Sequence, residues 1–348
     1  MKITPMLRMM NDVDEDMILR ITPLLCGLLW GAYSLNAADT LPPMHWADES
    51  RIGKPFAKDP SVIRFQDRYL MYFSLPPFSA SLAKPDSPKG WSIGIAESTD
   101  LIHWRKTAEI LPEQECEKKG LCAPGARVIG NQVHIFYQTY GNGAKDAICH
   151  AVSADGKRFV KDASNPVFRP EGDWTSGRAI DAEVYPVKDR LLLYFATRDP
   201  KMKVQMIGVA GAPLDSDFSR KTWKQLCDAP ILKPELSWEQ ECIEAPTLCE
   251  RDGKLYMFYA GAYNNKPQQI GVAESRDGLT WQRLSEQPLV PNGSAGSWNF
   301  SESGHPGVFA DKDGQTYLFY QGNSDQGKTW FLSVLKIDWR EGRPVIVK

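Results

Sequence analysis

The chain is predicted to be all-β: a five-bladed β-propeller with four antiparallel strands in each blade. Two observations predict it. A short motif recurs five times in register, opening at Asp59, Ala123, Asp181, Glu244 and His305, at spacings of 64, 58, 63 and 61 residues. Each copy then holds apolar runs enough for four strands, and no long helical period follows residue 38. Four strands per copy at a steady period are the mark of propeller blades, which close into a ring.

The elements of one copy follow in order. The opening motif leads into a hairpin, Ile63 to Phe73 in the first copy and ARVIGNQVHIFY, VYPVKDRLLLYF, LCERDGKLYMFY and VFADKDGQTYLFY in the others. An apolar strand, a polar turn with Gly, Asp or Asn and a strand ending in two aromatics reads as antiparallel pairing. The aromatic pairs are Tyr72-Phe73, Phe136-Tyr137, Tyr194-Phe195, Phe258-Tyr259 and Phe319-Tyr320. A third strand follows, at Ile93–Ser98, Ile148–Ser153, Ile207–Ala210, Ile270–Ser275 and Phe331–Ile337. An Asp-centred turn (Asp100, Asp155, Asp217, Asp277) then delivers Trp104, Phe159, Trp223 or Trp281 to start the outer strand; the last copy closes on Asp338-Trp339. Five blades account for Met44 to Val347. Two separate β-sandwiches would not produce five copies in register.

Ahead of the propeller domain, assigned to 38–348, residues 1–37 read as an export signal. Ile21 to Leu35 is mostly apolar, Arg20 precedes it, and the small residues Asn36-Ala37-Ala38 follow. The run is too short for a stable membrane span, although a membrane anchor is the alternative reading. The acidic stretch Asp12 to Asp16 does not suit a signal, and Met17 makes a better start. The protein is therefore expected to be secreted or periplasmic. The remaining bulk properties are those of a globular chain, 42% hydrophobic and 24% charged. A net charge of −2 and the lack of a long basic run point away from nucleic acid. Six cysteines follow the signal (Cys116, Cys122, Cys149, Cys227, Cys242, Cys249) and read equally as buried free thiols or as disulfides, for which Cys116–Cys122 and Cys242–Cys249 are the local candidates. None has zinc spacing.

Ring closure would bring the opening residues around one end of a central channel. Three of the five are acids: Asp59, Asp181 and Glu244. Taken singly, each reads as a turn or cap residue; an acid in three copies and not in the other two points to a pocket. Glu183, two residues after Asp181, would point the same way on a strand, so either could be the functional one. Glu239 and Glu241 read as surface charges. Glycoside hydrolysis needs two carboxyl groups across the scissile bond, one protonated to donate to the leaving oxygen and one ionised. A third charge nearby can keep the acid protonated.

These motifs resemble glycoside hydrolase family 43, within the wider clan that includes families 32, 68 and 117. Lys58-Asp59-Pro60-Ser61 is similar to that family's first-blade Asp-Pro-Ser, and Glu244-Ala245-Pro246 to its Glu-Gly-Pro. The resemblance implies Asp59 as general base, Glu244 as general acid and Asp181 as the residue that orients the acid and tunes its pKa, with inversion at the anomeric carbon. It implies no required cofactor, and it matches His305 to a last-blade histidine near the channel that sometimes stands beside a calcium ion or water. Ala245 in place of Gly, and Asp181-Ala182-Glu183 in place of Asp-Pro, depart from the pattern and leave the sugar open among arabinofuranose, xylose and galactose types. The expected partner is an oligosaccharide or polysaccharide.

Further candidates for substrate binding are Arg178, three residues before Asp181, and Trp46, Trp174 and Trp298, which sit before opening motifs in loops expected to rim the pocket. Arg178 could equally pair with an acid, and the tryptophans could pack between blades. Asp325 to Trp330 resembles the Asp-box turn of sialidases, a folding device. Three other functions stay open: a retaining fructan or sucrose enzyme with Asp59 as nucleophile, an algal-galactan glycosidase with His305 as the acid, and a non-catalytic carbohydrate-binding propeller.

Overall fold

The computed structural model describes residues 42–347; the export signal expected at 1–37 lies outside the described residues. Twenty strands form five four-stranded sheets, each ordered first to last from the axis outward. Blade I comprises β1 (Lys58–Phe65), β2 (Arg68–Leu75), β3 (Ser92–Ser98) and β4 (Arg105–Ile110). Blade II comprises β5 (Leu121–Ile129), β6 (Gln132–Thr139), β7 (Ile148–Ser153) and β8 (Val160–Lys161). Blade III comprises β9 (Ile180–Val187), β10 (Arg190–Arg198), β11 (Gln205–Pro213) and β12 (Lys224–Gln225). Blade IV comprises β13 (Ile243–Arg251), β14 (Lys254–Gly261), β15 (Gln269–Ser275) and β16 (Gln282–Arg283). Blade V comprises β17 (Glu302–Ala310), β18 (Thr316–Asn323), β19 (Phe331–Arg340) and β20 (Arg343–Val347). The innermost strands touch in the cyclic order β1, β5, β9, β13, β17 and back to β1, so the ring is closed. Residues before β1 dock on blade V, where Trp46 exchanges backbone hydrogen bonds with Leu332 at 3.0 and 2.8 Å.

Blades are held to one another by apolar packing and by repeated polar staples. The aromatic pairs are buried, and the core divides into clusters sandwiched between neighbouring sheets. The Asp-centred turns recur in atomic detail: Ser98, Ser153 and Ser275 each accept two backbone N–H groups, and Asp100, Asp155 and Asp277 accept the next two. The tyrosine of a second strand then reaches the next blade: Tyr72 donates to the Gly156 carbonyl (2.9 Å), Tyr194 to Gly278 (2.9 Å) and Tyr256 to Gly342 (2.8 Å). Gly156 suits that place, where φ is +73° and a Cβ would crowd the tip of the Leu70 side chain; the equivalent turn positions in blades I and III carry Leu101 and Phe218 with the same left-handed backbone.

Glu239 corrects the surface reading given to it. It is fully buried, its carboxylate held by Arg283, the Tyr259 hydroxyl and two backbone N–H groups. Glu117 repeats this arrangement before blade II with Lys161 and Tyr137. Glu241 is exposed, paired with Lys203. The six described cysteines are free thiols, and the close pair is Cys116 with Cys149, sulfurs 4.0 Å apart, rather than either local pair. Asp325 accepts from the Thr329 backbone and hydroxyl, which makes its turn a local folding device.

Candidate active site

All five inner strands are broken by a β-bulge in the same place. The bulge residue has a left-handed backbone in every blade: Asp59 (φ 56°), Ala123 (47°), Asp181 (53°), Ala245 (51°) and His305 (46°). None is glycine, so each copy holds about 1–3 kcal/mol of backbone strain, a device that re-aims a side chain. Neighbouring blades pin it: the Asp59 N–H donates to Gln321 (3.0 Å), that of Ala123 to Ser74 (2.8 Å) and that of Asp181 to Gln138 (2.7 Å).

This geometry shifts the register of blade IV by one residue. Ala245, not Glu244, occupies the opening slot. Glu244 pairs with Ala260 as Lys58 pairs with Ser74, so it stands one residue ahead of the bulge. The bulge also separates Asp181 from Glu183. Two residues after each slot, the side chains of Ser61, Glu183 and Thr247 accept backbone N–H groups of the next blade at 2.9, 3.3 and 3.1 Å. In blades II and V the same position is Gly125 or Gly307, where a Cβ would overlap the carbonyl oxygen of Ala182 or Pro60. Glu183 thus stitches inner strands together. Buried there, its carboxyl is pushed up to about 7.

Asp59, Asp181, Glu244, His305 and Arg178 line one cavity of about 280 Å³ at an end of the channel. The His305 Nε2 lies 3.4 Å from an oxygen of Asp59 and 3.4 Å from one of Asp181. Burial alone would lower its pKa; Asp59, Asp181 and Glu244 outweigh that and raise it to about 9. Glu244 receives an amide N–H on each carboxylate oxygen, from Gln205 and from Gln268 (2.6 Å). Burial is the largest cause pushing its pKa up, and the charge of Asp181 adds to it; the His305 charge and the Gln268 hydrogen bond pull the other way. Lys58, against the Trp330 ring, donates to Asn264 (2.8 Å) and is held charged by Asp59, Glu302 and Glu244 against its burial. The cavity therefore contains one carboxyl disposed to keep its proton and two carboxylates flanking an imidazolium.

Arg178 lies 3.6 Å from Asp146 and reaches Gln205 at 3.4 Å. The three tryptophans expected at the rim are elsewhere. Trp46 packs edge-on to Phe73, Trp174 lies over Gly208 and Phe195, and Trp298 packs on Tyr320 and His45. The aromatic walls are Trp91, Tyr140 and Tyr263. Several of the missed residues had a readable signal. Trp91, Asp146, Gln205 and Gln268 each stand two residues before the Ile that opens the third-strand run of blades I to IV. They form a second ring of slots that line the cavity or hold the residues that do. A calcium ion takes 6–8 oxygen ligands. Among the described residues no group of three or more His, Cys, Asp or Glu is arranged to hold a metal, and no step is assigned to an ion. Among the described residues no helix is long and apolar enough to cross a membrane.

Solved structures with this architecture include a thermostable family-43 glycoside hydrolase (19% identity, 84% of this chain and 93% of that one, TM-score 0.64). An endo-1,4-β-xylanase of Bacteroides thetaiotaomicron matches at 20% identity over 84% and 94% of the two chains, TM-score 0.64. The GH32 β-fructofuranosidase of Bombyx mori matches at 17% over 88% and 65%, TM-score 0.66. At such identities these likenesses show the fold. No curated protein sequence matches the chain. The model of the glycosyl hydrolases family 43 matches residues 51–344, and the chain, a glycosidase, belongs to that family.

Proposed function

We propose that the protein is an exported, inverting glycosidase that removes arabinofuranose-, xylose- or galactose-type sugars from polysaccharide-derived oligosaccharides. Asp59 takes a proton from water as the water oxygen attacks the anomeric carbon. The bond to the leaving oxygen breaks, and Glu244 gives that oxygen its proton. Asp181, beside both His305 and Glu244, holds the acid in its protonated form. The observation that carries this reading is the surroundings of Glu244: burial and the charge of Asp181 push its pKa up, as a general acid requires, while Asp59 lies across the same cavity, 3.4 Å from His305. The apolar run 21–35 supports export.

Asp59→Asn and Glu244→Gln should each lower turnover of an aryl glycoside by roughly 10²- to 10⁴-fold, with circular dichroism unchanged. Near-full activity in either variant would overturn the roles. His305 favours a second reading, because a buried imidazolium in the cavity is itself a proton donor. If His305→Gln is inactive and Glu244→Gln active, the histidine is the acid.

A further inference from the structure

The charges in the cavity do not balance one for one. His305 has Asp59 and Asp181, and Arg178 has Asp146. Lys58 is held by three nearby carboxyl groups. Arg198, also lining the cavity, stands apart. Its guanidinium donates to Gln205 Oε1 at 2.9 Å, lies 5.0 Å from the centre of the Tyr263 ring and reaches the Met202 carbonyl at 3.5 Å. Among the described residues no carboxylate is within 4.0 Å of it. Arg178 converges on the same Gln205 oxygen. Two arginines of blade III thus share one neutral acceptor at the wall of a pocket, and one of them has no counter-anion. Arg198 is half-buried at the cavity wall, and a guanidinium that faces a pocket with no carboxylate beside it is suited to forked recognition of an oxyanion.

We propose that the saccharide bound in this cavity is acidic, with an oxyanion on a sugar unit (a uronate carboxylate or a sulfate ester) docked against Arg198 and Arg178. This rests on the cavity being the sugar site of the glycosidase reading. The adjoining rings of Tyr263 and Tyr140 offer the sugar apolar faces, and the cavity volume, at the small end for a ligand pocket, limits the bound part to a short terminal segment. Gln205 ties recognition to catalysis: the arginines hold its oxygen, so its N–H₂ faces Glu244. The specificity residue is Arg198, which the sequence pattern did not single out.

The test is calorimetric binding to the full chain carrying Asp59→Asn, so that ligands are not consumed. Uronate-bearing xylan and pectin oligosaccharides are compared with their carboxyl-reduced forms, and sulfated galactan oligosaccharides with their desulfated forms. One acidic series should bind roughly tenfold to hundredfold tighter than its neutral counterpart, and the preference should shrink as salt rises. Which series shows it separates carboxylate from sulfate. Adding Arg198→Met should remove the preference, and Arg198→Lys, which keeps the charge, should retain part of it; a merely structural arginine would weaken acidic and neutral ligands alike. Equal or weaker binding of both acidic series, no binding of either, or a preference that survives Arg198→Met overturns the proposal. Hydrolysis of neutral glycosides without acidic selectivity would sink this inference and leave the glycosidase roles intact. Acid-selective binding that depends on Arg198, with Glu244→Gln fully active, would do the reverse.

Discussion

His305 is placed to make the stability of the folded ring depend on pH in the neutral-to-alkaline range. Its imidazole is nearly buried between two carboxylates, and its pKa rises from 6.5 to about 9. A group whose pKa is raised on folding adds stability that is fully present below the unfolded value and is lost as pH climbs through the folded value. The window is thus pH 6.5 to about 9. A rise of 2.5 pH units at about 1.36 kcal/mol each corresponds to about 3 kcal/mol. The assay is urea unfolding of the wild type and of His305→Gln at steps from pH 6 to pH 10. The variant lacks the cation at every pH, so the stability gap should be widest near pH 6 and narrow by about 3 kcal/mol by pH 10. Two curves that run parallel across this range would refute the reasoning, since they would mean that His305 does not hold its proton between Asp59 and Asp181.

Other outcomes follow from the same contacts. Gln268→Leu deletes a hydrogen bond that favours ionised Glu244, so the alkaline limb of kcat/KM should move to higher pH, by roughly one unit; a pH–rate profile on an aryl glycoside checks the sign, and a shift to lower pH contradicts it. Glu239→Ala leaves Arg283, the Tyr259 hydroxyl and two backbone N–H groups without their acceptor and should cost about 3–5 kcal/mol. Glu241→Ala, at an exposed pair, should cost under about 1 kcal/mol. Denaturant midpoints for these two variants decide whether two neighbouring glutamates differ as sharply as their burial implies.

The fold was legible because a propeller writes its plan five times. Apolar alternation, hairpin turns, paired aromatics and Ser-x-Asp turns recur at one period, and each error in one copy is corrected by the other four. The same redundancy hid a detail of the site. Counting acids at the head of each repeat placed Glu244 in the slot of Asp59 and Asp181. The shared left-handed backbone puts Ala245 there instead, and the X-Pro pattern of Asp59-Pro60, Ala123-Pro124, Ala245-Pro246 and His305-Pro306 records that register. Glu183 illustrates the opposite limit: strand periodicity made it the equal of Asp181, but a bulge breaks the two-residue period, and the two side chains do different work.

The sequence by itself determined the five-fold architecture, the family resemblance and the residues Asp59, Asp181, Glu244 and His305, because repetition and short motifs are local in the chain. Only the tertiary structure decided which groups surround each of them. Gln205 and Gln268 hold Glu244, His305 sits between two carboxylates, and Arg198 is left without a counter-charge. Protonation and recognition are set by neighbours that are remote in the pattern of the chain: Gln268 comes from another strand of Glu244's own blade, while Gln205 reaches Glu244, and Asp59 and Asp181 reach His305, from other blades that meet when the ring closes.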